Sequence, residues 1–549
     1  MRAALLVAAA LLWPARAGAY SLASGFTHSC HERLSLVAMG VLLDRLGTGG
    51  VTLPADDLWK KVAAELAPQV LEAEGREKTS ALTPEEQFVL FSVVVGVRAP
   101  DTGGHSVSNL SALRREQVNP DSSAQHVHCL RGPGDDGVAG DLAVLAGAEQ
   151  LVRAEVAEAA AAAGRRGPAR NTSARFALDF YGEIDVEVDE PAYHAGRAMH
   201  TLQDAHAHTL RSADGAIVYT VLNYIDAVAG HLDQTRDGMA HSDTMDDCSR
   251  TELQPLVLRA SAVSSALARA VVAMAVNGDG ASLDAGFAPC PPQEAGAATC
   301  GWLVYQPGCT ASDMSSCCTA ANGYCGSPYR PVAEEKLTRP YVQAILGCQA
   351  APGRSAWPAL LVLVVLLLRR RRRLATVSLL VALASGAPSA RAAVIAGVEG
   401  HFSLLSDLPE RSIIDASVGY AVRGGYRRGR WGLLVQIERN HWLPTELSRK
   451  IEPGALDLGI GGEVLSVGGF VRTSAVIGPS ILMFDTGLDE AGSVGLFVDL
   501  RPAGLRWPLG RHLAVVLDPL SVALVAPVLG SPGIRQVEYR TLLGLEAGL

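Results

Sequence analysis

Charge is scarce in this chain of 549 residues: Asp, Glu, Lys and Arg together make up 19%, against a hydrophobic fraction of 48% and a mean hydropathy of +0.19. That balance excludes an intrinsically disordered or solvating protein. A general basic surface is also missing, since net charge is −9, and the one dense basic run, Arg369 to Arg373, abuts an apolar segment. It reads as a membrane-topology signal, and no stable nucleic-acid complex is expected. No CxxC pair occurs among the ten cysteines, so a zinc ribbon is not expected. No apolar run reaches the ~20 residues that span a bilayer comfortably as a helix. Histidine is absent from 242 to 400, whereas 11 of the 14 histidines lie between His28 and His241. Such clustering points to a site.

The length predicts several domains. Residues 1–19, with Arg2, an apolar run and Ala17-Gly18-Ala19, form a secretory signal peptide whose cleavage leaves Tyr20 first and places the chain where disulfides persist. Helix formers at 61–75, 84–97 and 141–163, and a helix opening at Asp189-Glu190-Pro191 and running to about Leu210, make residues 20–276 an α-helical domain. Residues 277–350 lose periodicity and hold seven cysteines (Cys290, Cys300, Cys309, Cys317, Cys318, Cys325, Cys348), a disulfide-bonded, loop-rich module.

Residues 351–373 run from just after Cys348 through Trp357, an apolar stretch and the arginines, an order that resembles the C-terminal sorting tail of myxobacterial surface proteins. The resemblance implies a processing protease and a surface location. The chain nevertheless continues: 374–392 is apolar again and ends in Ala390-Arg391-Ala392, like a second signal peptide. Segments 356–368 and 374–387 are the candidate membrane spans, and a fusion of two reading frames gives the same layout. Residues 393–549 alternate with period 2, as at Val394 to Leu404, Trp431 to Glu438 and Ser493 to Leu500. About eight such segments predict an all-β domain, either a small outer-membrane barrel or a soluble barrel or sandwich.

The chemistry concentrates at His200-Thr-Leu-Gln-Asp204-Ala-His-Ala-His208. On a helix, positions 200, 204 and 208 share one face and His206 turns away. Imidazole and carboxylate on one face suit Zn²⁺, and an Asp between two His ligands can bridge two ions. Further patches are His28 and His31, Asp101 with His105, His126 and His128, and His231 and His241.

With Ala198-Met199-His200-Thr201-Leu202-Gln203-Asp204 and His208, supported by Cys30-His31-Glu32, Arg98-Ala99-Pro100-Asp101 and Gln125-His126-Val127-His128, residues 20–250 resemble the zinc-dependent phospholipase C family, relatives of the S1/P1-type nucleases. The resemblance implies two or three zinc ions. Asp101, His128 and His200 would hold one; Asp204 would bridge to a second that His31 and the amine of Tyr20 also hold; His208 and later ligands, His231 and His241, would hold a third. Asp101 would also be the general base. The family's last element, His-x-x-x-Glu, has no counterpart, and Asp233, Asp243 and Asp246 are the substitutes on offer. The implied activity is hydrolysis of a phosphodiester, most of all a phospholipid head-group bond at a membrane. A single-strand nuclease of the same fold and a non-enzymatic surface metal-binding or adhesion protein are the alternatives.

Cys30 adjoins His31 and Cys129 adjoins His128, so a Cys30–Cys129 disulfide would clamp two ligand segments, with Cys248 as the alternative partner for either. Loss of Cys348 to tail processing would leave nine cysteines, one of them without an intramolecular partner.

Overall fold

The computed structural model describes residues 30–334 and 392–548, apart from segments within 47–81, 106–117, 179–180, 227–237, 295–296, 307–326, 408–412, 444–452, 486–488 and 531–532. The signal peptide, Tyr20, His28, His231, the sorting tail, both candidate spans, most of the helix expected at 61–75, and Cys309, Cys317, Cys318, Cys325 and Cys348 lie outside the described residues. The chain divides into two compact units, one of them essentially residues up to 346 and the other the region from 347 onward.

In the first unit, α1 spans Cys30–Leu46 and α2 spans Pro84–Thr102. Thr83 and Glu86 close a reciprocal capping box at the start of α2, and Gly103, at φ 59°, ends it by donating its N–H to the Ala99 carbonyl. Short α3 (Ser122–Val127) leads to the alanine-rich α4 (Gly137–Ala163), which stops at Gly164 as the sequence predicts. The helix α5 (Glu190–Ala207) starts as expected, its Asp189 carboxylate accepting from Ala192 N–H and Pro191 occupying the first turn. α6 (Gln254–Asn277) ends at Gly278, and the short α7 (Ala281–Phe287) follows. α5 is the central element, packed against α2, α4 and α6. A Cβ on Gly96 would meet the Tyr193 carbonyl at 2.1 Å, and one on Gly196 the Val93 carbonyl at 2.5 Å. These two glycines let α2 and α5 cross closely, which brings the Asp101 end of α2 to the middle of α5.

The domain is mostly helical, as expected, but the expectation that it is all-α needs correction. Two-stranded sheets interrupt it: β1 (Asn171–Leu178) with β2 (Gly182–Asp189), and β3 (Thr209–Arg211) antiparallel to β4 (Val218–Val221). In the first, alternate Ala174, Phe176 and Leu178 and, opposite, Val186 and Val188 are buried, a period of 2 that wins over the helical flanks. The second ends α5 before Leu210, because the His208 carbonyl accepts the Leu222 N–H from outside the helix.

Of the two partners expected for Cys30, Cys129 is ruled out and the alternative, Cys248, is the one used. Cys30 bonds Cys248, with Cα atoms 6.0 Å apart, whereas Cys129 is a free, buried thiol that burial pushes up to about 12. Cys290–Cys300 staples the start of the Cys-rich module. The Cys30–Cys248 bond closes 218 residues and joins α1 to the segment that follows Asp246. Replacing both cysteines by serine is expected to cost about 2–5 kcal/mol in chemical unfolding of the full, oxidised chain; an unchanged midpoint would show that the hydrophobic cluster of Leu34, Leu210, Leu253 and Val257 around it suffices.

The second unit is a closed barrel of eight antiparallel strands: β5 (Ala392–Asp407), β6 (Ile413–Arg428), β7 (Trp431–Trp442), β8 (Gly454–Ser466), β9 (Val471–Leu482), β10 (Val494–Pro508), β11 (Leu513–Ala526) and β12 (Gln536–Gly548). Closure comes from β12 pairing β5, from Gln536 opposite Asp407 to Gly548 opposite Ile395. The apolar members of the sequence alternation face outward: Val394, Val398, Trp431, Leu433, Val435, Ile437 and Val494 are exposed. The inward positions combine apolar side chains such as Leu434, Val476 and Phe497 with a polar, ion-paired set. Arg501 donates to Glu399, Asp499 and Asp518, Arg472 to Glu399 and Asp518, and Arg427 to Glu463 and Glu546. Leu433 is 72% exposed while Gln436 and Glu438 are fully buried, the reverse of a soluble barrel's arrangement.

Candidate metal centre

Four segments deliver the site. α2 supplies Asp101 in its last turn, the turn after α3 supplies His128, α5 supplies His200 and Asp204, and α1 supplies His31 from its second position. A backbone junction fixes the remainder. Leu222 accepts Arg131 N–H and donates to the His208 carbonyl, while Asn223 donates to Met239 and accepts from His241. Residues 222–223 therefore tie together the chain segments carrying His128, His208 and His241.

The first group is Asp101, His128, His200 and Asp204, all buried. His200 Nε2 and His128 Nδ1 lie 2.9 and 3.0 Å from Asp204 Oδ2 and 3.3 Å from each other. Asp101 Oδ1 completes the set at 3.5 Å from His128 Nδ1 and 3.7 Å from His200 Nε2. These separations bracket the edge of about 3.4 Å that a tetrahedral zinc with bonds of about 2.0–2.2 Å requires. Only one proton fits between His200 Nε2 and His128 Nδ1, and Asp101 Oδ1 is buried with no hydrogen bond. A cation satisfies all four ligands at once, so the donor set fits zinc.

The second group is His208, His241 and Asp246. Both Nε2 atoms lie 3.2 Å from Asp246 Oδ1, and Asp246 Oδ2 is buried without a hydrogen bond. His208 Nδ1–H donates to the His128 carbonyl at 2.5 Å, which fixes the tautomer and leaves Nε2 toward Asp246. The acid in the place left open by the sequence is thus Asp246, five residues after His241. A short 3-10 turn over Asp243–Asp246 reaches across the extra residue.

Asp204 faces both ways. Its Oδ2 belongs to the first group, while Oδ1 lies 3.1 Å from His31 Nε2 and 3.9 Å from His208 Nε2. Burial alone would raise its pKa, but His200, His208 and His31 around it hold the carboxyl well below the usual range. The same charges act in return: burial would lower His31 and His208, yet the Asp204 carboxylate raises both from 6.5 to about 9. His200, buried more heavily than its carboxylates compensate, is lowered.

Histidines outside the two groups have other tasks. His206 is buried and turned away as expected, its Nδ1–H donating to the Leu202 carbonyl; burial and Arg211 push its pKa well down and keep it neutral. His126 pairs with Asp135, His194 with Glu155 and His105 with Glu183. His128 rather than His126 joins the centre.

A pH dependence follows. In the metal-free protein the protonated His31 and His208 stabilise the fold fully below about 6.5, and that contribution disappears as pH rises through about 9. Zinc must displace those protons, so its affinity climbs over the same window. The expected result is a melting-temperature gap between zinc-loaded and chelator-treated protein that widens from pH 6.5 to 9; a constant gap would contradict it.

The fold and site thus define a chain with a helical domain carrying two groups of metal-compatible His and Asp residues, and a separate closed barrel. No family model and no curated protein matches the chain. Among solved structures, the crystal structure of Neisserial surface protein A (NspA) is similar to part of it, at 11% identity, covering 29% of this chain and 98% of that one, with a TM-score of 0.22.

Proposed function

We propose that the helical domain is a zinc-dependent phosphodiester hydrolase of the phospholipase C type and that the barrel seats the protein in an outer membrane. The observation that carries the first part is Asp204, whose Oδ2 lies 3.0 and 2.9 Å from His128 and His200 while its Oδ1 lies 3.1 Å from His31 and 3.9 Å from His208. Asp101, His128, His200 and Asp204 would hold one ion, His208, His241 and Asp246 another, and His31 with Asp204 Oδ1 part of a third position. Zinc bound there would supply a Lewis acid for the phosphoryl oxygens and a water nucleophile at neutral pH. The chain's own residues do the remainder. Asp101 would give Oδ1 to the metal, which leaves its second oxygen as the one to take a proton from water, and His208 and His31, fixed from behind by the His128 carbonyl and the Gln203 amide, keep their ligand atoms convergent without reorganisation. The order of these residues along the chain supports the phospholipase C resemblance, with Asp246 replacing the family's glutamate.

The test is hydrolysis of phosphatidylcholine vesicles and of single-stranded DNA by the full chain, with and without chelator. Head-group release that chelator abolishes and zinc restores supports the proposal. Cleavage of DNA alone would transfer it to the nuclease reading, and activity on neither would favour a metal-binding adhesion protein.

For the barrel, the supporting observation is the apolar exterior around a charged interior, the arrangement demanded by lipid outside and water or ion pairs within. A heat-modifiable fragment extracted from outer membranes is expected; a soluble, monomeric 393–549 product would overturn this part.

A further inference from the structure

We infer that Gln203, an amide with no ligand role of its own, is the positioning residue that decides which nitrogen of His31 faces the centre; the inference rests on the metal-centre reading above. Gln203 sits on α5 beside Asp204 and is fully buried. Its Oε1 lies 2.7 Å from His31 Nδ1, and its Nε2 donates to Ser35 Oγ at 2.8 Å on α1 and Ser264 Oγ at 3.1 Å on α6. One side chain thus ties three helices together at the ligand.

The direction of the amide follows from its surroundings. With Nε2 committed to the two hydroxyls, Oε1 is the atom left for His31, and an oxygen can only accept. His31 must then carry its proton on Nδ1, and the lone pair of the neutral ring falls on Nε2, 3.1 Å from Asp204 Oδ1. The opposite orientation would place Nε2–H against the site and remove His31 as a ligand. The ring also stacks on His200 at 4.3 Å between centroids, so the contact at Nδ1 fixes a ring already held in plane. Hydrogen bonds of this kind behind a ligating imidazole change metal affinity about 10–100-fold when removed.

The substitutions Gln203→Met and Gln203→Glu separate this role from packing. Methionine keeps the volume and loses the acceptor. Glutamate keeps the acceptor toward His31 and cannot donate; it can accept from the Ser35 hydroxyl, while Ser264, whose hydroxyl donates to the Ala260 carbonyl at 2.8 Å, loses its donor, so the tautomer of His31 is unchanged. Zinc affinity of the full chain, measured by competition against a chelator series, is expected to fall about 10–100-fold for Q203M and to stay within about threefold of the parent for Q203E. In an H31A background, Q203M is expected to add no further loss, since the two changes remove one contact. Equal affinity in Q203M and the parent, or a loss in Q203E as large as in Q203M, would overturn the inference.

Imidazole ¹⁵N spectra of the zinc-loaded protein give a second readout. The proton of His31 is expected on Nδ1, with Nε2 toward the metal, and a proton on Nε2 would overturn the assignment. Absence of zinc from the parent chain would instead sink the metal-centre reading, so the two failures are distinguishable.

Discussion

Replacing Asp204 by alanine is expected to leave the protein with at most one zinc ion and to lower phosphodiester hydrolysis by about 1,000-fold or more, because one carboxylate serves both imidazole sets. Two effects combine in that loss. His200 Nε2 and His128 Nδ1 lose the oxygen they share at 2.9 and 3.0 Å, and His31 and His208 lose the charge that keeps them protonated. Removing one partner from a buried ionic cluster costs about 3–5 kcal/mol. Here the orphaned imidazoles can shed protons instead of remaining charged, so the destabilisation of the metal-free domain is expected near the lower end, about 3 kcal/mol. The His126→Gln control, which alters a neighbouring histidine bound to Asp135, should leave zinc content unchanged. Retention of full zinc content in the Asp204→Ala protein would show that the two groups do not share a ligand.

The second large effect is expected in the barrel. Arg501 is fully buried, and its guanidinium serves Glu399, Asp499 and Asp518 together. Arg501→Met leaves these carboxylates short of a counter-charge, with Arg472 still donating to Glu399 and Asp518 and Arg423 3.6 Å from Glu399. The expected cost is about 3–5 kcal/mol in urea unfolding of the barrel in the full chain. Adding Glu399→Gln should recover part of it, because the second change removes one of the unpaired charges, and the two sites are in contact and therefore non-additive. An unchanged unfolding curve for Arg501→Met would mean that water, not the arginine, balances the interior carboxylates.

The two halves were legible in the sequence to different degrees, for physical reasons. Barrel strands were readable because a period-2 pattern is local: the exposed Trp431, Leu433, Val435 and Ile437 lie at alternate positions of one segment. Which face was apolar-outward was not, since alternation is identical for a barrel turned either way, and only closure by β12 against β5 places the charged set inside. In the helical domain, His200 and Asp204 were legible from helical spacing alone. His208 was expected on the same helix, but it caps α5 and reaches Asp246 from a non-helical backbone at φ −100°. Asp246 could be offered only as one of three acids, because a 3-10 turn, not a helix, sets the spacing from His241. Cys248 rather than Cys129 as the partner of Cys30 depended on a tertiary approach across 218 residues, for which adjacency to a histidine gives no information. Gln203 looked like part of a motif. Its contact with His31, 172 positions away, has no local signature at all.

Elemental analysis of the full chain, purified from its native source without chelator, tests the central claim most directly. Two or three zinc ions per chain in the parent protein, falling to one or none in Asp204→Ala, is the predicted result. A parent protein with no stoichiometric metal, or one whose zinc is indifferent to Asp204, would contradict the assignment of Asp101, His128, His200, Asp204, His208, His241 and Asp246 as a metal centre.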